Sequence, residues 1–333
     1  MMRGMVRVIC FGEALIDFVP LEKGQRLADV DTFARVPGGA PANVAACIAR
    51  LGATVQFAGQ VGRDAFGDCI ERALGDLGVD TARLRRTSAA KTALAFVTLS
   101  PSGERDFAFY RDPSADMLFP VSAVEPGWFG GNGILHLGTL SLTHPDSRAA
   151  TERAVALARA AGWLVSFDPN ARLDLWPSPA AFVEATLAML PSCDIVKVSE
   201  DELALLGGSP STRPAFILGR GPRLVLITYG ADGASLATSS FDVRLPGLSV
   251  PVVDTTGAGD AFVGAFLSEL ARQDVTPATL DATLADTAMM RECLAFANVC
   301  AAVSVTRRGA IPAMPTRAEV EAFMRDAGSG IGD

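Results

Sequence analysis

The sequence predicts an α/β protein: a mostly parallel central sheet with helices on both faces, plus a small separate sheet outside those layers. Three observations carry this. In the second half, short apolar runs alternate with helical segments, the pattern of a parallel sheet covered on both sides. Around Thr92 to Arg111 the pattern changes to strand alternation. And 49% hydrophobic residues in a chain of 333 supply an ample core.

Taken in order, Val6 to Phe11 is an apolar strand candidate, followed by Gly12-Glu13 and a mixed run, Ala14 to Val19, that carries Asp17. A carboxylate within Leu15-Ile16-Asp17-Phe18 is out of place in a core strand, so it faces either solvent or a ligand. Pro37-Gly38-Gly39-Ala40-Pro41-Ala42-Asn43 then leads into a helix to about Leu51, which Gly52 ends. Gly38 and Gly39 leave room for a polyol against the backbone, and Asn43 offers both a donor and an acceptor. The same residues also read as a turn and a helix-interior Asn.

Phe57 to Val61 is the next strand, and Gly62-Arg63-Asp64 opens a helix to about Leu77. Thr92 to Leu99 and Arg105 to Arg111 read as strands joined by a Pro101-Ser102-Gly103-Glu104 hairpin. With residues 13–36 they form the small sheet, placed to act as a lid. Phe107, Phe109 and Tyr110 pack it, and Arg111 either joins them or points at a substrate.

Strand candidates of the second half are Ile134 to Leu137, Leu164 to Phe167, Ile195 to Val198, Leu224 to Thr228 and Ala234 to Ala237, with helices at Pro145 to Ala161 and Ser178 to Leu190. In open α/β sheets ligands gather beyond the strand C-termini. Asp168-Pro169-Asn170-Ala171-Arg172, Ser199-Glu200-Asp201-Glu202 and Thr228-Tyr229-Gly230-Ala231-Asp232-Gly233 all fall there. Singly each reads as a turn or cap. Their convergence on one sheet edge points to a shared site.

An apolar β-type run, Leu248 to Val253, enters Asp254-Thr255-Thr256-Gly257-Ala258-Gly259-Asp260, and Ala261 to Leu270 has the spacing of a buried helix. Amides from Gly257 to Asp260 then lack intrahelical partners, and the helix dipole adds positive character, so a phosphate can be held by main chain. Asp260 is expected to be ionised, with its pKa lowered by the helix end. Alone, Gly-X-Gly-Asp also reads as a tight turn and a helix-start charge. A long apolar helix, Leu284 to Val303, carries Asn298 and ends at Thr306-Arg307-Arg308-Gly309-Ala310.

Two histidines, His136 and His144, argue against a zinc site or a Ser-His-Asp hydrolase. Six scattered cysteines without a Cys-X-X-Cys pair read as reduced core thiols. The formal charge of −8 disfavours nucleic acid. No apolar run reaches the ~20 residues needed to span a bilayer, and the N-terminus does not read as a signal peptide, so a cytoplasmic protein is expected. There is neither a P-loop nor a Gly-X-Gly-X-X-Gly after the first strand.

Asp254 through Phe262, with Gly264 following, closely resembles the C-terminal signature of the ribokinase-like carbohydrate kinases, the PfkB family, and Pro37 through Gly52 resembles the N-terminal one. The resemblance covers nearly the whole chain and implies a ribokinase-like three-layer α/β/α domain over 1–326, lid strands at about 13–36 and 92–111, and a flexible tail at 327–333. It implies ATP and Mg2+ as cofactors, with Asp260 as catalytic base and the amides of Gly257, Ala258 and Gly259 as the anion hole. Asp17, Gly38, Gly39, Asn43, Arg111, Asp168, Asn170 and Arg172 would contact the sugar or its phosphate. Ser199, Thr228, Gly230, Gly233 and Asn298 would border the nucleotide, Ser199 standing where the family carries Asn. Glu202 would organise the water shell of magnesium, and Asp254 and Thr256 a monovalent cation, K+.

Gly12 to Phe18, Gly39 to Asn43, Phe109-Tyr110-Arg111 and Asp168-Pro169-Asn170 are most similar to fructokinases, which implies transfer from ATP to D-fructose to give fructose 6-phosphate. 2-Keto-3-deoxygluconate kinase, aminoimidazole riboside kinase and a non-catalytic sugar-binding regulator are the alternatives. A homodimer through the lid is the expected assembly.

Overall fold

The computed structural model describes residues 6–22, 24, 26–99, 105–208 and 213–329. Along the chain come β1 (Arg7–Phe11), β2 (Leu15–Pro20), β3 (Phe33–Gly38), α1 (Ala40–Arg50), β4 (Val55–Gly62), α2 (Ala65–Asp76), β5 (Asp80–Thr87), β6 (Ala93–Leu99) and β7 (Arg105–Tyr110). The second half holds β8 (Gly133–Gly138), α3 (Pro145–Ala160), β9 (Leu164–Asp168), α4 (Pro179–Met189), β10 (Ile195–Ser199), α5 (Glu200–Leu205), α6 (Arg213–Leu218) and β11 (Leu224–Thr228). β12 (Ala234–Ala237), β13 (Asp242–Leu245), α7 (Ala258–Arg272), α8 (Leu280–Ala285), α9 (Thr287–Ser304) and α10 (Arg317–Ser329) complete it.

Nine strands form the main sheet in the order β13-β12-β11-β10-β9-β8-β1-β4-β5, and β3-β2-β6-β7 form a separate sheet of four. Pairing is parallel from β5 across to β11. β12 and β13 are antiparallel, because a turn of five residues after β11 leaves no crossover for a parallel return. The two faces bury different residues of the same strand. Val8 and Cys10 join the core under α1, α7 and α9, while Ile9 and Phe11 join the core under α3 and α4. The chain passes from β1 to β4 on one side and to β8 on the other, so the strand order reverses at the C-terminal end of β1. Such a reversal opens a crevice, and ligands bind there.

The expected three-layer fold and its small sheet are therefore present. Some boundaries differ. Leu248 to Val253 is not a strand: the N–H groups of Val253 and Asp254 bond to the carbonyl of Val305, just past α9, at 2.8 and 3.2 Å, and the side chain of Val252 is exposed. The helix expected from Ala261 begins at Ala258. The helix expected from Leu284 is two, because Asp286 caps α9 by accepting the N–H of Met289 at 3.0 Å. β5 and β13 were not expected; both lie at sheet edges and carry charged, exposed residues that hide the strand pattern. α10 continues to Ser329, into the segment expected as a tail. The Pro101 to Glu104 hairpin lies outside the described residues. All six cysteines are free, as expected. Among the described residues no helix is long and apolar enough to cross a membrane.

Candidate active site

The crevice is lined by Glu13, Asp17, Gly39, Asn43, Asn170, Arg172, Thr256, Gly257 and Asp260, with Leu15, Ala95, Val97 and Phe109 from the small sheet closing its other side. Each polar group arrives by a local rule. Gly257, at φ +79°, is the left-handed residue before α7, a conformation that suits glycine. A Cβ there would lie 2.9 Å from that of Ala310, so the close packing needs glycine as well. Asp260 falls in the first turn of α7, and the amides of Gly259 and Asp260 have no carbonyl four residues back within the helix. The amide of Ala258 is instead turned to the carbonyl of Thr255 at 3.3 Å, which leaves Gly257, Gly259 and Asp260 as the better anion donors.

Asn43, inside α1, donates from Nδ2 to Oδ2 of Asp260 at 2.8 Å and so joins the two helices. Asp260 is buried, and burial raises its pKa above the ordinary carboxylate value. The expected lowering by the helix end is thus overturned in sign. The Asn43 bond and the charges of Lys197 and Arg172 oppose the burial effect without cancelling it.

Lys197 was not anticipated. It sits in β10 between buried apolar neighbours, its Nζ 3.1 and 3.3 Å from the two carboxylate oxygens of Asp168. A Cβ on Gly259 would come within 3.0 Å of that Nζ, so a buried ammonium lies beside Gly259 in the first turn of α7. Burial alone would lower its pKa, but the Asp168 and Glu202 carboxylates outweigh that and raise it, so the charge is fixed. The available signal was a lone Lys in Ile195-Val196-Lys197-Val198, since a cation in a fully buried strand requires a partner.

Asp168 is consequently not open to the cavity as expected; it is buried as the counter-ion of Lys197. Arg111 is also displaced from its expected place. Its guanidinium donates to Asp116 at 2.9 and 2.6 Å, to Thr143 at 2.9 Å and to the carbonyl of Leu140, a lining residue, at 3.0 Å, and Arg111 itself does not line the cavity. Gly38 serves by being small: a Cβ there would lie 2.3 Å from Oδ2 of Asp17. Asn170 takes φ +46° and accepts from Nη1 of Arg172 at 2.9 Å, which keeps both on the cavity wall.

The remaining expected residues lie around this centre. Ser199 caps α5 by accepting the Glu202 N–H at 3.1 Å, while Glu202 accepts from Ser199 N–H at 2.7 Å and Ala171 N–H at 2.6 Å. Thr228 ends β11, and Gly230 and Gly233 form the turn to β12. Asn298 donates to the Pro246 carbonyl at 2.7 Å, tying α9 to that loop. One oxygen of Asp254 accepts from the N–H and hydroxyl of Thr256 at 2.9 and 2.7 Å; the other accepts from Gly309 N–H at 2.9 Å. Among the described residues no cluster of three or more His, Cys, Asp or Glu side chains could grip a metal by itself.

Main-chain amides at a helix start, a carboxylate beside them and a polar cavity next to both are an arrangement that suits phosphoryl transfer. The family model described as pfkB family carbohydrate kinase matches residues 5–317. The chain belongs to the pfkB family. It is an ATP-dependent carbohydrate kinase. Among curated proteins this kinase is 45% identical over 323 residues to Probable fructokinase-6, chloroplastic, of Arabidopsis thaliana, covering 96% of this chain and 82% of that protein. The fructokinase of Xylella fastidiosa with bound ATP matches with a TM-score of 0.89 and 38% identity, over 97% of this chain and 99% of that one. A fructokinase double mutant from Vibrio cholerae O395 in a fructose-, ADP- and potassium-bound form matches at 0.86 and 34%, over 97% and 99%.

Proposed function

We propose that this kinase transfers the γ-phosphoryl group of ATP to D-fructose, giving fructose 6-phosphate and ADP. The observation that carries the reading is the Asn43–Asp260 hydrogen bond between two residues of a cavity whose polar side also carries Glu13, Asp17, Asn170 and Arg172, groups able to bind hydroxyls. Similarity to proteins named fructokinase, one of them holding fructose, favours this sugar.

In this reading Asp260 accepts a hydrogen bond from the 6-hydroxyl and fixes its oxygen in line with phosphorus. The new O–P bond forms as the bond from phosphorus to the departing ADP oxygen breaks, and the hydroxyl proton passes to Asp260 late in the step. A raised pKa makes Asp260 a better proton acceptor, provided it stays ionised, which Asn43 and Lys197 favour. Gly257, Gly259 and Asp260 amides hold charge on the transferred group, with the Lys197 ammonium beside Gly259.

The buried carboxylate of Glu202 keeps a lone pair on each oxygen beyond its backbone bonds, which suits water-mediated contact with magnesium. Magnesium bound on the phosphates would neutralise their charge. Asp254 and Thr256, with the Gly309 loop, would border K+, in line with the potassium in the V. cholerae relative.

The test is ADP formation with magnesium and ATP over D-fructose, D-ribose, 2-keto-3-deoxygluconate and aminoimidazole riboside. D-Fructose should give the highest kcat/KM, and a different winner overturns the assignment. D260N should lose turnover by about a thousandfold or more while its KM for sugar changes little. No ADP with any sugar would favour a non-catalytic sugar-binding regulator.

A further inference from the structure

We propose that Glu13 is a sugar-recognition residue, whose free carboxylate oxygen accepts a hydroxyl of the bound carbohydrate and thereby sets which sugars are held. It rests on the reading of the lined crevice as the carbohydrate site. Glu13 lies just past β1, at the point where the strand order reverses, and it borders the cavity together with Asp17, Asn43, Asn170, Arg172 and Asp260. The side chain is almost wholly buried, at 3% exposure.

Its two oxygens differ. Oε1 accepts the N–H of Ala40 at 3.0 Å, in the Gly39–Ala40 turn that opens α1. Oε2 is buried and has no donor. Buried polar atoms are nearly always paired, and a carboxylate oxygen is among the costliest to leave alone. Arg111, whose charge acts on Glu13, gives Oε2 no hydrogen bond and donates instead to Asp116, Thr143 and Leu140. Asn43, on the same wall, has a second orphan, its buried Oδ1. Two unmatched acceptors on residues that line one cavity call for a ligand that brings several hydroxyl donors, once small side-chain shifts open them to it.

Burial pushes the Glu13 pKa up to about 7, with Arg111 lowering it and Asp116 raising it. A hydroxyl arriving at Oε2 would stabilise the ionised form.

A brace role for Glu13, through Ala40 alone, predicts something different, and substrate analogues separate the two. The experiment measures kcat/KM of wild type, E13Q and E13A with D-fructose, 1-deoxy-, 3-deoxy- and 4-deoxy-D-fructose, and 2,5-anhydro-D-mannitol, which lacks the 2-hydroxyl. E13Q keeps an amide oxygen for Ala40, so it reports even if E13A fails to fold. For one analogue the wild type should lose about tenfold to a hundredfold, the worth of a hydrogen bond to a charged group. The variants should treat that analogue and D-fructose alike within about twofold, with KM for ATP unchanged. If every deoxygenation costs the variants the same factor as wild type, Glu13 is only a brace and the proposal fails. Should wild type ignore D-fructose, the fructose reading fails instead, and the same cycle on D-ribose and its 2- and 3-deoxy forms decides Glu13.

Discussion

At the residue scale, the site is a set of carboxylates kept at unusual pKa values by burial. Glu13, Asp17 and Asp168 are each pushed up to about 7, in every case chiefly by desolvation. In the unfolded chain these groups titrate near 4. Between about pH 4 and 7 the native state therefore holds more protons than the unfolded state, so raising pH through that window lowers the stability of the ligand-free protein, by about 1.4 kcal/mol per pH unit for each such group. Sugar hydroxyls that pair with the ionised forms of Glu13 and Asp17, the two of these that line the cavity, should restore part of this. The rise in Tm on adding saturating D-fructose should accordingly be larger at pH 8 than at pH 5.5, as scanning fluorimetry would register; an equal or smaller rise at pH 8 would contradict the pairing. D17N, neutral at every pH, should flatten the difference and raise KM for sugar by about tenfold to a hundredfold. The same environment explains why Asp260 moves opposite to the helix-dipole expectation: a first-turn charge at an exposed end gains about 0.3–1 kcal/mol, and desolvation in a buried site exceeds that.

At the element scale, the Asn43–Asp260 bond that the proposed mechanism uses depends on how closely α1 packs against α7. Gly264 makes that contact possible. A Cβ there would lie 2.9 Å from the Cβ of Cys47, 3.1 Å from its Sγ and 3.2 Å from the Val44 carbonyl. A glycine in a helix interior ordinarily costs stability relative to alanine, and here the cost is offset by helix approach. G264V should destabilise the protein by about 1–3 kcal/mol through overpacking, read from denaturant unfolding. It should also move Asn43 away from Asp260, so turnover per folded molecule should drop about tenfold or more with little change in KM for ATP. Retention of full kcat would mean that the helix spacing does not position Asp260. β10 carries a comparable link. Removing the buried ammonium in K197M leaves Asp168 unpaired, a change that typically costs 3–5 kcal/mol, and calorimetry should find that loss.

At the scale of the whole molecule, the sequence made the layers legible because parallel strands buried on both faces read as apolar runs, and the two glycine-rich turns stand out at any depth of burial. The edge strands β5 and β13 were not legible, since exposed charges dominate their pattern. Of the site, Asp17, Asn43, Asn170, Arg172, Gly257 and Asp260 were readable from out-of-place polar groups and turn chemistry, and they do share one cavity. Lys197 and the inward side of Glu13 were not, because which charges pair across strands distant in sequence depends on tertiary packing. Nor could spacing tell that Arg111 is spent on Asp116. The cavity itself is built from two sides: Leu15, Asp17, Ala95, Val97 and Phe109 come from the small sheet, and Asn43, Asn170, Arg172 and Asp260 from the helices and loop around the main sheet. Among the described residues, the small sheet has little core of its own on that side, where Leu15, Ala93 and Ala95 are buried together with Phe109 packed on them. Elements with few buried apolar contacts open at low free energy, and a sugar bridging both sides adds contacts that the sheet lacks. Hydrogen exchange followed by mass spectrometry should therefore slow about tenfold or more in β6 and β7 on adding D-fructose, since each 1.4 kcal/mol of added protection is tenfold. β8 and β9, wholly buried in the main sheet, should change little. A non-hydrolysable ATP analogue without sugar should leave β6 and β7 as they were. Protection spread evenly over β6 to β9 would mean that sugar stabilises the molecule globally, and the two-sided account of the cavity would be wrong.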